Sequence, residues 1–281
     1  MKIVVTGANG GLGGAIISAC ARLYPSWECV GLTRAEADLA DAVATEKAVS
    51  SLAPDVIIHC SAMTAVERCE TEPDLARRIN VDGTRAVARS AEKCGARMVF
   101  VSTDYVFDGS GAPYQEDATP APLNVYGQTK LEGERAMLVL NRSLVVRTSW
   151  LYGKNGKSFP ATVLGLAKTK KVIRMVNDQK GSPTYSADLA EALLKLVEME
   201  ATGIYHVCNS GHCTWYELAK AVLEIRGINA PLEPTSSSEF NAPAKRPADS
   251  RLDCSRYAEK TGSPLRPWRE ALADYLSSLP A

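Results

Sequence analysis

Tyr126 and Lys130 stand four residues apart in Tyr126-Gly127-Gln128-Thr129-Lys130, which on a helix is one turn and one face. A phenol with an ordinary pKa of about 10 gives up its proton reluctantly at neutral pH, and an adjacent ammonium would lower that value. The pair suits protonation of an oxygen that gains negative charge, as when a hydride adds to a carbonyl. Spacing of this kind also arises by chance. Its weight here comes from Val101-Ser102-Thr103-Asp104-Tyr105-Val106-Phe107, where Thr103 ends an apolar run and could hydrogen-bond the same oxygen, turning it toward Tyr126. Ser102 and Thr103 could equally do no more than cap a strand end.

A second constellation supplies the hydride donor's cradle. Thr6-Gly7-Ala8-Asn9-Gly10-Gly11-Leu12-Gly13 follows a strand-like run and opens a helix. Gly7 permits a tight turn, Gly10 lets the backbone approach a pyrophosphate, and Gly13 lets helix and strand pack closely. The helix N-terminus would present free N–H groups to the anion. Asn9, Gly11 and Leu12 complete this turn, and Ser61 and Ala62, after the third strand-like run, join the cofactor candidates. Lys130 would serve twice, also binding the nicotinamide ribose. The second run ends Gly31-Leu32-Thr33-Arg34 with no carboxylate for ribose hydroxyls. Arg34 could pair with a 2′-phosphate, which favours NADPH with NADH left open. Asp38 and Leu39 could flank the adenine or simply cap a loop.

These groups need a scaffold that brings them to one edge. Apolar runs at Lys2–Thr6, Glu28–Leu32, Asp55–Cys60, Arg97–Ser102 and Leu144–Arg147 alternate with helical stretches at about Gly11–Tyr24 and Asp74–Cys94. Runs such as Val56-Ile57-Ile58 lack polar alternation, as strands buried on both faces do. The expectation is an α/β fold, a doubly wound parallel Rossmann-type sheet, with every motif at the carboxyl end of a strand. Residues 1–150 would form the dinucleotide-binding domain, with 184–208 returning to it through a helix Ser186–Glu198 and a strand Ile204–Cys208. Residues 151–183 and 209–281, broken by Gly153, Gly156, Pro160, Gly181 and Pro183, would form a smaller discontinuous substrate-binding lobe with helices at Thr214–Arg226 and Pro267–Leu279.

Thirty-two basic residues offset thirty-two acidic ones, so no net field draws the chain to nucleic acid or an anionic membrane, and small molecules are the expected partners. The N-terminus reads straight into a strand and no apolar stretch reaches membrane length, so a cytoplasmic location is expected. Eight cysteines show no CxxC pair or zinc spacing, and His59 and His206 sit in apolar runs, as core residues do.

Taken together, the motifs resemble the extended short-chain dehydrogenase/reductase family, and within it the dTDP-4-dehydrorhamnose reductases. The resemblance extends over nearly the whole chain. It includes Thr64-Ala65-Val66-Glu67, Ser102–Phe107, Arg147-Thr148-Ser149-Trp150-Leu151-Tyr152-Gly153, Asp178-Gln179-Lys180-Gly181-Ser182-Pro183-Thr184 and Arg246-Pro247-Ala248-Asp249-Ser250-Arg251-Leu252. It implies reduction of the C4 keto group of dTDP-4-dehydro-L-rhamnose to dTDP-L-rhamnose, with Thr103, Tyr126 and Lys130 catalytic. It also implies sugar contacts from Val66, Thr103, Asp104, Tyr105 and Trp150. Trp150 offers a deoxysugar ring an apolar face, or is a core tryptophan. Arg246 is the candidate for the nucleotide diphosphate, with structural pairing to Asp249 or Asp253 as the alternative.

Related sugar dehydratases follow the catalytic Thr with Asp-Glu, whereas Asp104-Tyr105 stands here, which removes the elimination base. A reductase or epimerase of another nucleotide-linked deoxysugar, or a non-catalytic dinucleotide-binding regulatory subunit, are the alternatives. Some family members carry a glutamate early in the first helix for a metal-bridged dimer. This chain has Gly14-Ala15-Ile16, so no metal site is expected and a homodimer would need another route.

Overall fold

The computed structural model describes residues 1–156 and 158–280. Lys2–Thr6 (β1), Glu28–Leu32 (β2), Val56–His59 (β3), Arg97–Thr103 (β4), Leu144–Thr148 (β5) and Gly203–His206 (β6) make one parallel sheet, ordered β2-β1-β3-β4-β5-β6. The longer helices are Gly11–Leu23 (α1), Ala42–Ser51 (α2), Thr84–Cys94 (α3), Val125–Leu138 (α4), Phe159–Thr169 (α5), Ser186–Glu198 (α6), Trp215–Ile225 (α7) and Trp268–Ser277 (α8).

Alternation along the strands divides the core in two. Ile3, Val5, Ile58 and Val146 pack against Ile16 of α1 and Leu189 and Leu193 of α6. Val4, Ile57, Phe100 and Val145 pack against Val49 of α2, Val87 of α3 and Met137 of α4. Helices therefore cover both faces, which is why the central strands are apolar throughout. A third cluster joins Tyr152, Val163, Ile173, Leu218, Val222 and Leu272, drawing on α5, α7 and α8, and Trp150 leans on it.

At the carboxyl edge Thr6 lies opposite Leu32 and His59, and Thr103 opposite Thr148. The chain crosses from one side of β1 to the other here, which opens a crevice for ligands. Both expected core histidines are buried. His59 Nδ1 meets Thr6 Oγ1 at 2.7 Å, and its Nε2 meets Thr84 Oγ1 at 3.1 Å. Thr84 gives its own proton to the Asn80 carbonyl, so the His59 Nε2–H must donate and Nδ1 must accept.

The structure departs from expectation at several elements. Helix α2 has no counterpart in the sequence reading, although Asp41 caps it by accepting from the Ala44 N–H at 2.9 Å. Pro160 does not break the chain but occupies the first turn of α5 behind the Ser158 cap, where no backbone N–H is needed. The helix expected from Asp74 starts at Pro73 and passes through a π-helical stretch, Arg78–Gly83, before α3. Other boundaries shift by one or two residues into caps.

Candidate active site

One cavity of about 790 Å³ opens at the carboxyl edge. Its wall carries Gly7, Asn9, Gly10, Gly11, Leu12 and Gly13, then Arg34, Asp38, Leu39, Ser61 and Ala62. The same wall holds Val66, Thr103, Asp104, Tyr105, Tyr126, Lys130 and Trp150. Every expected site residue is thus gathered there except Arg246.

The glycine turn is shaped for a close approach. Gly7 has φ +75°, and its N–H donates to the Leu32 carbonyl at 2.9 Å. A Cβ at Gly13 would stand 2.2 Å from the Gly7 carbonyl oxygen, so helix and turn touch backbone to backbone. Gly10 caps α1 with no side chain, leaving its first N–H groups exposed to an incoming anion. Ser102 Oγ and Thr148 Oγ1 are buried on the cavity wall without hydrogen-bond partners among the described residues. Hydroxyls without partners, an open helix N-terminus and a bare glycine turn fit a dinucleotide. Arg34 is the cation at the β2 end, held to Asp38 at 3.5 Å in an exposed pair.

Tyr126 enters through the first turn of α4. The Asn124 side chain accepts from the Gly127 N–H at 2.8 Å and donates to the Lys245 carbonyl at 2.8 Å. Gly127 lies so close to the turn after β4 that a Cβ would fall 2.0 Å from the Tyr105 carbonyl oxygen. This contact sets the Tyr126 ring edge-on to Tyr105, 6.0 Å between centroids. Asn80, in the π-helical stretch, braces the same helix: it bonds both backbone polar groups of Met63 and donates to Thr129 Oγ1 at 3.1 Å.

Lys130 lies one turn beyond Tyr126 on α4, and its ammonium is bonded to the backbone. Its ammonium donates to the Val101 carbonyl at 2.7 Å and sits 4.0 Å above the Phe100 ring. Burial brings its pKa down to about 8, with Glu134 opposing. Burial pushes the Tyr126 phenol up, and the nearby Thr103 hydroxyl draws it back. One further turn along α4, Glu134 binds Arg147 of β5 through two bonds of 2.9 and 2.8 Å, both side chains nearly sealed from water. That pair locks the helix that carries Tyr126 and Lys130 to the sheet.

Asp104 is 2% exposed and its oxygens are occupied. It accepts from Thr103 Oγ1 at 3.0 Å, Ser149 Oγ at 3.1 Å and Ser250 Oγ at 2.5 Å. Burial raises its pKa to about 6 against these three donors. Trp150 lies face to face with Trp215, whose Nε1 donates to Gln179 Oε1 at 3.1 Å. Arg246 pairs with Glu67, beside the Tyr105 phenol, while Asp249 is taken by Arg251. Neither Asp249 nor Asp253 is its partner, because Glu67 reaches it from the helix after β3. Trp215, Ser149, Ser250 and Asn80 are site residues that sequence reasoning missed. Ser149 and Ser250 lie inside the Arg147–Gly153 and Arg246–Leu252 motifs, whereas Trp215 is marked only by the Thr214–Glu217 capping box at the start of α7.

The family described as RmlD substrate binding domain matches residues 1–280. The chain is 41% identical to the spore coat polysaccharide biosynthesis protein SpsK of Bacillus subtilis, over 98% of this chain and 96% of that one. It is 39% identical to the dTDP-4-dehydrorhamnose reductase of Streptomyces griseus, over 98% and 93%. The solved dTDP-4-dehydrorhamnose reductase of Bacillus anthracis in complex with NADP superimposes with a TM-score of 0.93, at 37% identity, over 99% of both chains.

Proposed function

The chain belongs to the RmlD substrate binding domain family, and from that premise we propose that it is the NADPH-dependent reductase of dTDP-4-dehydro-L-rhamnose, giving dTDP-L-rhamnose. The observation that carries this reading is the meeting of Thr103, Tyr126 and Lys130 with the glycine turn on one cavity. Bound NADPH supplies the hydride that reduces C4. The turn from Gly7 to Gly13 and the start of α1 hold its diphosphate, and Ser61, Ala62, Asp38 and Leu39 line the nucleoside. Arg34 takes the 2′-phosphate.

Tyr126 delivers its proton to the C4 oxygen as negative charge develops there, and Thr103 hydrogen-bonds that oxygen and orients it. A buried phenol keeps its proton until the alkoxide, a stronger base, withdraws it. Lys130 adds a positive charge on the same face of α4 and would also bind the nicotinamide ribose. Trp150, Val66 and Tyr105 give the deoxysugar an apolar wall. On this reading residues 1–150 with 184–208 form the dinucleotide-binding domain, and 151–183 with 209–281 form the smaller lobe that completes the nucleotide-sugar site.

Purified protein mixed with dTDP-4-dehydro-L-rhamnose should oxidise NADPH, followed by its absorbance, and Tyr126→Phe should slow turnover at least ~100-fold. A folded wild type that binds NADPH yet turns over none of this sugar would overturn the reading.

A further inference from the structure

Ser250 is 146 positions from Asp104 in sequence, yet its hydroxyl reaches that carboxylate at 2.5 Å. Its own segment is fixed: the Ser250 N–H donates to the Lys180 carbonyl at 2.9 Å, and the Lys180 N–H donates to the Ala248 carbonyl at 2.8 Å. Ser250 is 1% exposed and Ser149 is 1% exposed, so neither hydroxyl has water as an alternative partner. The neighbouring Asp249–Arg251 pair is closed on itself and leaves this contact to Ser250.

Thr103 has a single hydroxyl hydrogen. In the structure it points to Asp104 at 3.0 Å, while the Thr103 oxygen accepts the Tyr105 N–H at 3.2 Å. Carbonyl reduction needs that same hydrogen on the substrate oxygen. An ionised carboxylate grips one donor less tightly when others share its charge. Two serines from different segments provide this sharing, both on Oδ2, while Thr103 binds Oδ1.

We propose that Ser250 is a positioning residue for the reduction: by donating to Asp104 together with Ser149, it frees the Thr103 hydroxyl hydrogen to turn from Asp104 to the substrate oxygen. The inference rests on the reductase reading. It places on the C-terminal segment a group that acts on the transition state without touching the substrate.

Steady-state kinetics of wild type, Ser250→Ala, Ser250→Thr and Ser149→Ala, each with NADPH and with NADPH deuterated at the transferred position, test it. Ser250→Ala should lose about tenfold in kcat with KM within about twofold, the scale of one hydrogen bond to a charged group. Its isotope effect on kcat should rise as hydride transfer becomes slower. Ser250→Thr, which keeps the hydroxyl, should return to within about threefold of wild type, and Ser149→Ala should repeat the kcat loss. A loss carried by KM, an unchanged isotope effect, or equal damage in the Thr variant overturns the proposal. An inactive wild type would instead overturn the reductase reading, so the two failures are distinct.

Discussion

The indole rings of Trp150 and Trp215 lie 3.5 Å apart at their centroids and 7° from parallel, and Gly181 is packed so closely that a methyl there would come within 2.4 Å of the Trp150 ring. Trp150 also holds a left-handed backbone, φ +46°, so its orientation depends on these neighbours. Gly181→Ala should push the ring aside and raise KM for the keto-sugar about tenfold, equivalent to about 1.4 kcal/mol, while leaving the NADPH Kd unchanged. The near-ultraviolet circular dichroism of the stacked pair should weaken in the same variant. Unchanged KM with an altered spectrum would remove Trp150 from the sugar site.

Arg34 presents a side chain that is 77% exposed and, among the described residues, tied to Asp38 alone at 3.5 Å. An exposed pair of this kind holds its partners weakly. A phosphate monoester at the ribose 2′ position, with close to two charges, should displace Asp38. Arg34→Ala is expected to weaken NADPH binding roughly tenfold or more, about the strength of one charge-assisted bond, with the NADH Kd within about twofold. Fluorescence titration of both cofactors checks this, and an equal loss for the two would assign Arg34 no part in phosphate recognition.

His59 and His206 set the acid limit of stability. Burial, before any neighbouring charge, lowers both to about 3, and Lys130 and Arg147 respectively push in the same direction. In the unfolded chain each titrates at about 6.5. Between these values the unfolded state binds protons that the folded state refuses, so stability is complete above pH 6.5 and falls as pH drops toward 3, at up to about 1.4 kcal/mol per pH unit for each histidine. Asp104, raised to about 6, works in the opposite sense below that pH and offsets part of the loss. Urea midpoints across pH 4 to 7.5 should therefore fall steeply on the acid side, and His59→Gln should flatten the slope. A slope that is the same in wild type and variant would show that His59 is protonated in the folded protein.

The parallel sheet was legible because its strands are sealed on both faces and so carry unbroken apolar runs, as in Val56-Ile57-Ile58. Short motifs at the strand ends were legible because backbone geometry alone demands them, as Gly7 and Gly13 show. Helix α2 was not, since Thr45 and Val49 are its only buried residues and its apolar stripe is too thin to announce a period. Trp215 escaped for a different reason: its role depends on Trp150, 65 positions away, and no local pattern encodes a partner at that distance. Lys130 shows a third limit. Spacing places it on the Tyr126 face, but the choice between Tyr126 and the Val101 carbonyl is made by side-chain packing around Phe100.

Synthesis of the chain runs from the glycine turn to Ser250, and the order has a consequence for its biogenesis. The turn, β1 to β5 and the whole of α4 are made within the first 148 residues, whereas the edge strand β6 ends at His206 and the third hydroxyl on Asp104 arrives only with residue 250. A chain of 148 residues thus carries the whole turn, but neither α6, whose Leu189 and Leu193 cover the α1 face of the sheet, nor the third donor to Asp104. The serine that shares the charge of Asp104 at the end of β4 is therefore the last of that carboxylate's three donors to be made.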